Sequence, residues 1–298
     1  MSRVLRRGLA LVTGCAVAVA GVAGCTSGAT ASQLRQVTEK VFSFEPGGEL
    51  TIQSQNGSVT IEAWDRPEAR IQITREVRAG SSEQAASLMK ELRADVTIEH
   101  GRIAIQSQYP KRSETVGFLE LFGQHVSALN IHYYVQVPSR TDLHLATSNG
   151  EVHVRGMVGE VAAKTLNGSI DVMSVSGAVR VSTTNGSIRI LGIDGSAKAV
   201  TTNGTVTAEL RRVPGGGPVE LSTTNGDVVL MLPPGIRATV DAVTTNGRVS
   251  VGYPLQRGEG SRGYRLVQGT IAGGGTPLVL RTTNGNIVIR KLGTAEGT

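Results

Sequence analysis

The apolar positions of this chain follow one repeated phrase. Asn-Gly occurs with its Asn at 56, 149, 167, 185, 203, 225, 246 and 284. Counted from that Asn, positions −6 and −4 are apolar, −2 is Thr or Ser, and +3 and +5 are apolar again. At Asn185 the five residues are Val179, Val181, Thr183, Ile188 and Ile190. At Asn284 they are Leu278, Leu280, Thr282, Ile287 and Ile289. The isolated copy at Asn56 obeys too, with Leu50, Ile52, Ser54, Val59 and Ile61. Alternation with period two turns one face of a strand inward. The inward phase is even before the Asn and odd after it, so the Asn-Gly turn shifts the phase by one residue. Gly accepts positive φ, and Asn accepts it better than most residues.

Spacing decides how these strands assemble. From Asn149 to Asn203 the step is 18 residues three times, followed by 22, 21 and 38. The last step is close to twice 19. Such regularity predicts an all-β fold, a β-solenoid of about 18-residue coils. Each coil holds two strands and two turns, the second turn lying at Gly192-Ile193-Asp194-Gly195. Asn-Gly between alternating strands is also a hairpin signal, so an antiparallel β meander or sandwich is the alternative. In a solenoid, equivalent residues sit about 4.8 Å apart, and Thr and Asn form ladders. The Asn shares the parity of the inward residues before it, so its amide is expected to point inward and bond the next Asn. Asn149, Gly150, Asn167, Gly168, Asn185, Gly186, Asn203, Gly204, Asn225, Gly226, Asn246, Gly247, Asn284 and Gly285 are thus read as structural turn residues.

Residues 39–138 are less regular, and 139–298 carry the repeats; together, 39–298 read as one domain. Residues 70–78 alternate like a strand, whereas 81–94 have helical spacing. Ser81 with Gln84 fits a capping box. Leu88 and Leu92, four apart, suit a short helix that caps the stack against edge-to-edge association. Residues 95–109 and 130–138 return to strand patterning. Between them, 111–128 read as an insertion containing Phe118, Leu119, Leu121 and Phe122. It is taken as a loop over the core, with a partner or membrane contact as the functional alternative.

The N-terminus reads as an address. Arg3, Arg6 and Arg7 precede an uncharged apolar run over 8–23, the layout of a secretory signal. The run is short for a membrane span. It ends in Val22-Ala23-Gly24-Cys25, which resembles a bacterial lipobox. That resemblance implies cleavage of a signal peptide over 1–24 and a lipid on Cys25. It places the protein at a cell membrane, lipid-anchored on the extracytoplasmic face. Residues 25–38, mostly small and polar, read as a flexible tether.

Composition narrows the function. Only 3% of the 298 residues are aromatic, while 38 are Gly, which suits thin aliphatic layers and many turns. The formal charge is +6, but without Arg3, Arg6 and Arg7 the chain holds 27 basic against 24 acidic residues. That mild excess does not suggest nucleic acid as a partner.

The Thr-Thr-Asn-Gly copies at 183–186, 201–204, 223–226, 244–247 and 282–285, with the irregular first half and its one helix, resemble a β-strand-repeat family of unknown function that carries an adhesin label. The resemblance covers most of 40–298. It implies an exported or membrane-attached protein and no established chemistry.

Catalytic and metal constellations are weak. His144 and His153 flank the Asn149 turn, but no third ligand accompanies them. The outward acids Glu62, Asp171, Glu220 and Asp241 are scattered, and neither G-x-S-x-G nor H-E-x-x-H occurs. No catalytic residue, metal or cofactor is assigned. A mildly basic stripe of Lys164, Arg180, Arg189 and Lys198 could meet anionic glycan or lipid headgroups, or be a solvated face. Trp64, five Tyr and four Phe leave few aromatic platforms for sugars. The sequence therefore reads as a non-enzymatic cell-envelope lipoprotein with an adhesin-like scaffold. Its expected partners are the membrane through Cys25 and an envelope protein or anionic glycan. A glycan or cell-wall polymer binding module is the alternative, and a polysaccharide-active enzyme ranks below both.

Overall fold

The computed structural model describes residues 32–110, 128–213, 217–258 and 260–293. Cys25, the signal segment and residues 111–127 of the expected insertion lie outside them.

The first part of the chain forms β1 (Ser32–Ser43), β2 (Gly48–Gln53), β3 (Val59–Trp64), β4 (Glu68–Ala79), α1 (Ser82–Glu91), β5 (Arg93–Glu99), β6 (Arg102–Gln108) and β7 (Ala128–Pro138). The regular part forms β8 (Thr141–Ala146), β9 (Val152–Arg155), β10 (Val161–Lys164), β11 (Ile170–Met173), β12 (Val179–Ser182), β13 (Ile188–Asp194), β14 (Ala197–Val200), β15 (Val206–Arg212), β16 (Val219–Asn225) and β17 (Val228–Leu232). The last part forms β18 (Ala238–Asn246), β19 (Val249–Val251), β20 (Gln256–Arg257), β21 (Leu266–Ile271), β22 (Thr276–Asn284) and β23 (Ile287–Lys291).

Every Asn-Gly turn carries the chain from one sheet to another. The strand before it joins a 12-stranded sheet in the order β20-β21-β18-β22-β16-β14-β12-β10-β8-β2-β6-β5. The strand after it joins an 11-stranded sheet in the order β1-β4-β7-β3-β9-β11-β13-β15-β17-β23-β19. Neighbouring coils pair in parallel and in register, Val161 beside Val179 beside Ala197 in one sheet and Val152 beside Ile170 beside Ile188 in the other. This is a two-sided, solenoid-like stack. The strands flanking each Asn-Gly are not hydrogen-bonded to each other, so the meander of hairpins does not form. The inward residues of the repeated phrase are buried throughout, as Leu143, Leu145, Val152 and Val154 illustrate. Each such side chain contributes roughly 1.5–3 kcal/mol by leaving water, which is how a core with few rings is stabilised.

Antiparallel strands close both ends. At one end β4 lies on β7, β1 on β4, and β5 on β6. At the other, β21 lies on β18 and β20 on β21. The expected helix is α1. It connects β4 of one sheet to β5 of the other. The Ser81 hydroxyl accepts from the Gln84 N–H at 3.2 Å, and the Gln84 side chain accepts from the Gly80 N–H at 3.2 Å. The helix buries Ala85, and Leu92 just past its end is buried too.

Two expectations are corrected. Residues 32–38, assigned to the tether, form the first half of β1, with Leu34 opposite Val77. The strand runs the whole length of β4, which would otherwise present a 12-residue open edge. The folded domain therefore includes residues 32–38. The final coils also do not stack in chain order. The β22–β23 coil, which carries Asn284, lies between the Asn225 coil and the Asn246 coil. After Val251 the chain leaves the stack, returns antiparallel to β18 as β21, and turns through Gly273 and Gly274, with φ of 81° and 86°. That excursion brings β22 in between β16 and β18 and accounts for the 38-residue step.

Candidate interaction surfaces

The turn residues form a continuous ladder along one edge of the stack. Asn149 donates to Asn56 Oδ1 at 2.7 Å. Asn167, Asn185, Asn203, Asn225 and Asn284 each donate to the Asn of the preceding coil in the stack at 2.8 Å, and Asn246 donates to Asn284 at 2.8 Å. All eight copies take part. At the β6–β7 end Tyr109 occupies the next rung, its hydroxyl donating to the Asn56 carbonyl at 2.6 Å and accepting from the Asn56 N–H at 2.9 Å.

The ladder is not inside. The seven Asn from 149 to 284 are exposed. Parity failed as a guide because the inward–outward alternation ends at the −2 hydroxyl: β12 stops at Ser182, and in β16, which runs on to Asn225, both Thr224 and Asn225 are exposed. The inward polar group is instead the hydroxyl at −2. Thr183 is buried and donates to the Gly168 carbonyl of the coil beside it at 3.0 Å, and Thr201 does the same to Gly186 at 2.9 Å. Each buried hydroxyl is thereby satisfied.

Glycine is required here by proximity. A Cβ on Gly150 would lie 2.0 Å from the Gly57 carbonyl oxygen, and one on Gly247 would lie 1.9 Å from that of Gly285. These two do not have a positive φ, whereas Gly57, Gly168, Gly186, Gly204, Gly226 and Gly285 do, as the sequence suggested; the requirement that all eight share is the close approach of a neighbouring backbone carbonyl.

The outer faces of the sheets are chemically occupied. Arg180 pairs with Glu160, Lys198 with Glu220 at 2.6 Å, and Arg189 with Asp171 at 3.0 Å. The basic stripe is thus largely neutralised by neighbouring acids, in pairs worth about 0–1 kcal/mol each. The four outward acids each have a partner: Glu62 accepts from Tyr134 at 2.6 Å, and Asp241 is held by Arg281. His144 is on β8 and His153 on β9, in different sheets. His153 faces Glu151 at 3.2 Å through Nε2 and Asp171 at 3.4 Å through Nδ1. The two carboxylates sit at opposite sides of the ring, so the three cannot converge on one ion. Among the described residues no group of three or more metal-ligating side chains lies together.

One cleft stands apart from this pattern. It has a volume of about 900 Å³ and is lined by Asp194, Arg211, Arg212, Pro233, Ile236 and Arg237, among others. It lies along the edge of the second turns, where the step between copies lengthens from 18 to 22 and then 21 residues. Arg212 donates to Asp194 Oδ2 at 2.8 Å, and that hydrogen bond raises the Arg212 pKa. Asp194 Oδ1 is buried with no hydrogen-bond partner among the described residues. Arg237 donates to the Gly274 carbonyl at 3.3 Å. Arg211 lies over Gly192, where a Cβ would meet its Nη2 at 3.0 Å, and it has no hydrogen bond or ion pair among the described residues. The sequence carried a signal for this cleft in the lengthened steps and the adjacent Arg211-Arg212 pair, but the regular copies drew attention to Arg180 and Lys198 instead.

No curated protein sequence matches the chain. Three solved bacterial structures, each described as a "putative" adhesin or cell adhesion protein, align with 86% of it. That from Bacteroides fragilis is 8% identical, with 97% of its own length covered and a TM-score of 0.38. The one from Parabacteroides distasonis is 12% identical, 97% covered, at 0.36. The one from Clostridium sporogenes is 10% identical, 100% covered, at 0.31. A family model described as Toastrack DUF4097 matches residues 30–290, from just before β1 into β23. Because that match takes in both end caps and every coil of the stack, the chain belongs to the Toastrack DUF4097 family.

Proposed function

We propose that this chain is a cell-envelope lipoprotein, held to the outer side of a membrane by a lipid on Cys25, and that its stack is a rigid scaffold which works by binding rather than by catalysis. The apolar run ending in Val22-Ala23-Gly24-Cys25 carries the reading. β1 is the outermost strand of its sheet, and only residues 26–31 separate it from Cys25. Seven Cα steps span at most about 24 Å. A lipid on Cys25 therefore keeps the β1–β5 end beside the bilayer. Twelve strands at about 4.8 Å spacing put the β20–β21 end up to about 50 Å away along the stack. Among the described residues no helix is long and apolar enough to cross a membrane, so within them attachment has no helical span to rely on. The binding reading is supported by the outward acids, each tied into a surface pair, and by a repeated phrase in which every polar group is engaged in stacking.

Metabolic labelling with a palmitate analogue tests the anchor. The wild-type chain takes up label and partitions into the detergent phase, and Cys25→Ala loses both. Label retained in Cys25→Ala, or absent from the wild type, overturns the anchor.

A further inference from the structure

We propose that the cleft beside Asp194 binds an anionic glycan, a sugar polymer bearing carboxylate or phosphate groups. The proposal rests on the reading that the domain works by binding, and it supplies that reading with a site and a ligand class.

The cleft's volume of about 900 Å³ falls within the range of ligand sites. Its charge is one-sided, with three guanidinium groups against the single carboxylate of Asp194. This contrasts with the sheet faces, where Arg180, Lys198 and Arg189 each have an acid within reach. Arg211 has no hydrogen bond or ion pair among the described residues, and the planar fork of a guanidinium matches carboxylate and phosphate oxygens two at a time.

Asp194 decides what kind of anion fits. A carboxylate inside an anion site repels a ligand that brings only acceptors. Among the described residues its Oδ1 lacks a donor, so a ligand that offers hydroxyl groups beside its charge satisfies both sides of the cleft. A sugar acid or sugar phosphate carries both. Pro233 and Ile236 add an apolar wall for the C–H face of a sugar ring.

The site is built by features that depart from the regular coil. The lengthened second turn brings Arg211 and Arg212 to the rim. The run Gly273-Gly274-Gly275 lets β22 enter close against Arg237, where a Cβ on Gly275 would lie 2.5 Å from the Arg237 carbonyl oxygen. The cleft and the inserted coil are thus made by the same piece of chain.

Full-length protein, purified in detergent, is tested against immobilised polygalacturonate and phosphomannan, with neutral dextran, inorganic polyphosphate and poly-glutamate as comparisons. Binding to either sugar-based anionic polymer but not to dextran is expected, weakening as salt is raised. The tighter of the two identifies the charged group. Arg211→Gln, which breaks no hydrogen bond or ion pair among the described residues, is expected to weaken binding several-fold. R211Q/R237Q is expected to weaken it by about tenfold or more. Arg189→Gln, on a sheet face, leaves it unchanged. Cys25→Ala also leaves it unchanged, so failure of the lipid anchor and failure of this site give different results. The proposal is overturned if neither sugar polymer binds, if R211Q/R237Q binds like the wild type, or if polyphosphate or poly-glutamate binds as tightly as both.

Discussion

Between Asn149 and Asn203 the chain and the stack advance together; at the ends they do not. In the middle each coil rests on the one 18 residues earlier. At one end Asn149 bonds to Asn56, 93 residues away, and at the other Asn284 bonds to Asn225, 59 residues away. The contacts themselves hardly differ. The ladder bond is 2.7 or 2.8 Å at every interface, and a Cβ on the turn glycine would lie about 2 Å from the neighbouring carbonyl whether that neighbour is near or far in sequence. The repeated phrase therefore specifies a coil with two standard faces. It leaves the identity of the neighbour to the connecting segments and the caps. This is the quasi-one-dimensional logic of repeat proteins, in which each unit answers only to the next.

The largest test of that equivalence uses glycine. Gly186→Ala forces a Cβ to 2.1 Å from the Gly168 oxygen, and Gly285→Ala forces one to 1.9 Å from the Gly226 oxygen. Both should cost about 3 kcal/mol or more in chemical denaturation, because the obstacle is backbone. Gly235→Ala, with nothing within 4 Å, should change stability by less than about 0.5 kcal/mol. A mild effect at Gly285 alone would show that the inserted coil is held more loosely than the middle ones.

A smaller effect separates interior from end. Asn185→Ala removes two ladder bonds, to Asn167 and from Asn203, whereas Asn246→Ala removes one, to Asn284. The first should cost about 1–2 kcal/mol and the second about half as much. Equal losses would mean that the ladder acts as a unit rather than rung by rung.

The smallest concerns the clasp on the inserted coil. Arg281 of β22 holds Asp241 of β18 by its carboxylate and by the backbone carbonyl at 2.7 Å. Burial disfavours the charged Asp241, but hydrogen bonds from Arg281 and Gln268 outweigh it and hold the carboxyl below its usual range. A lowered folded-state pKa stabilises above the unfolded value and loses that contribution as pH falls through the folded one. Arg281→Gln should therefore cost about 0.5–1 kcal/mol at neutral pH. The gap to wild type should close in acid, below the ordinary carboxylate range. A gap that persists there would assign the effect to the backbone contact instead.

What the sequence showed, it showed through local alternation. Leu143, Leu145, Val152 and Val154 announce an inward face because their neighbours on the same strand set the phase. The Asn amide was misread because the alternation ends at the hydroxyl two residues before it, even where the strand itself runs on to the Asn, as in β16, β18 and β22. The role of Gly150 was misread because its decisive neighbour, Gly57, is remote in sequence. β1 escaped notice because its alternation is shallow: a strand that pairs along one edge of β4 needs backbone more than apolar side chains. The cleft escaped notice because it is made of residues that interrupt the pattern. Regularity revealed the scaffold and concealed the departures from it.

The placement of β22 and β23 has a consequence for how the molecule is completed during synthesis. The strands that fill the gap between the Asn225 coil and the Asn246 coil are made after the strands on both sides of it. Until they arrive, the Asn225 coil offers an open, hydrogen-bonding edge, and the β18–β21 ribbon has no seat on it. That interval is when pairing with another chain is most dangerous. A solenoid built strictly in chain order would always expose such an edge at its growing tip. This one instead keeps a gap until β22 is made, and the strand that fills it also brings the Gly-rich turn that shapes the cleft.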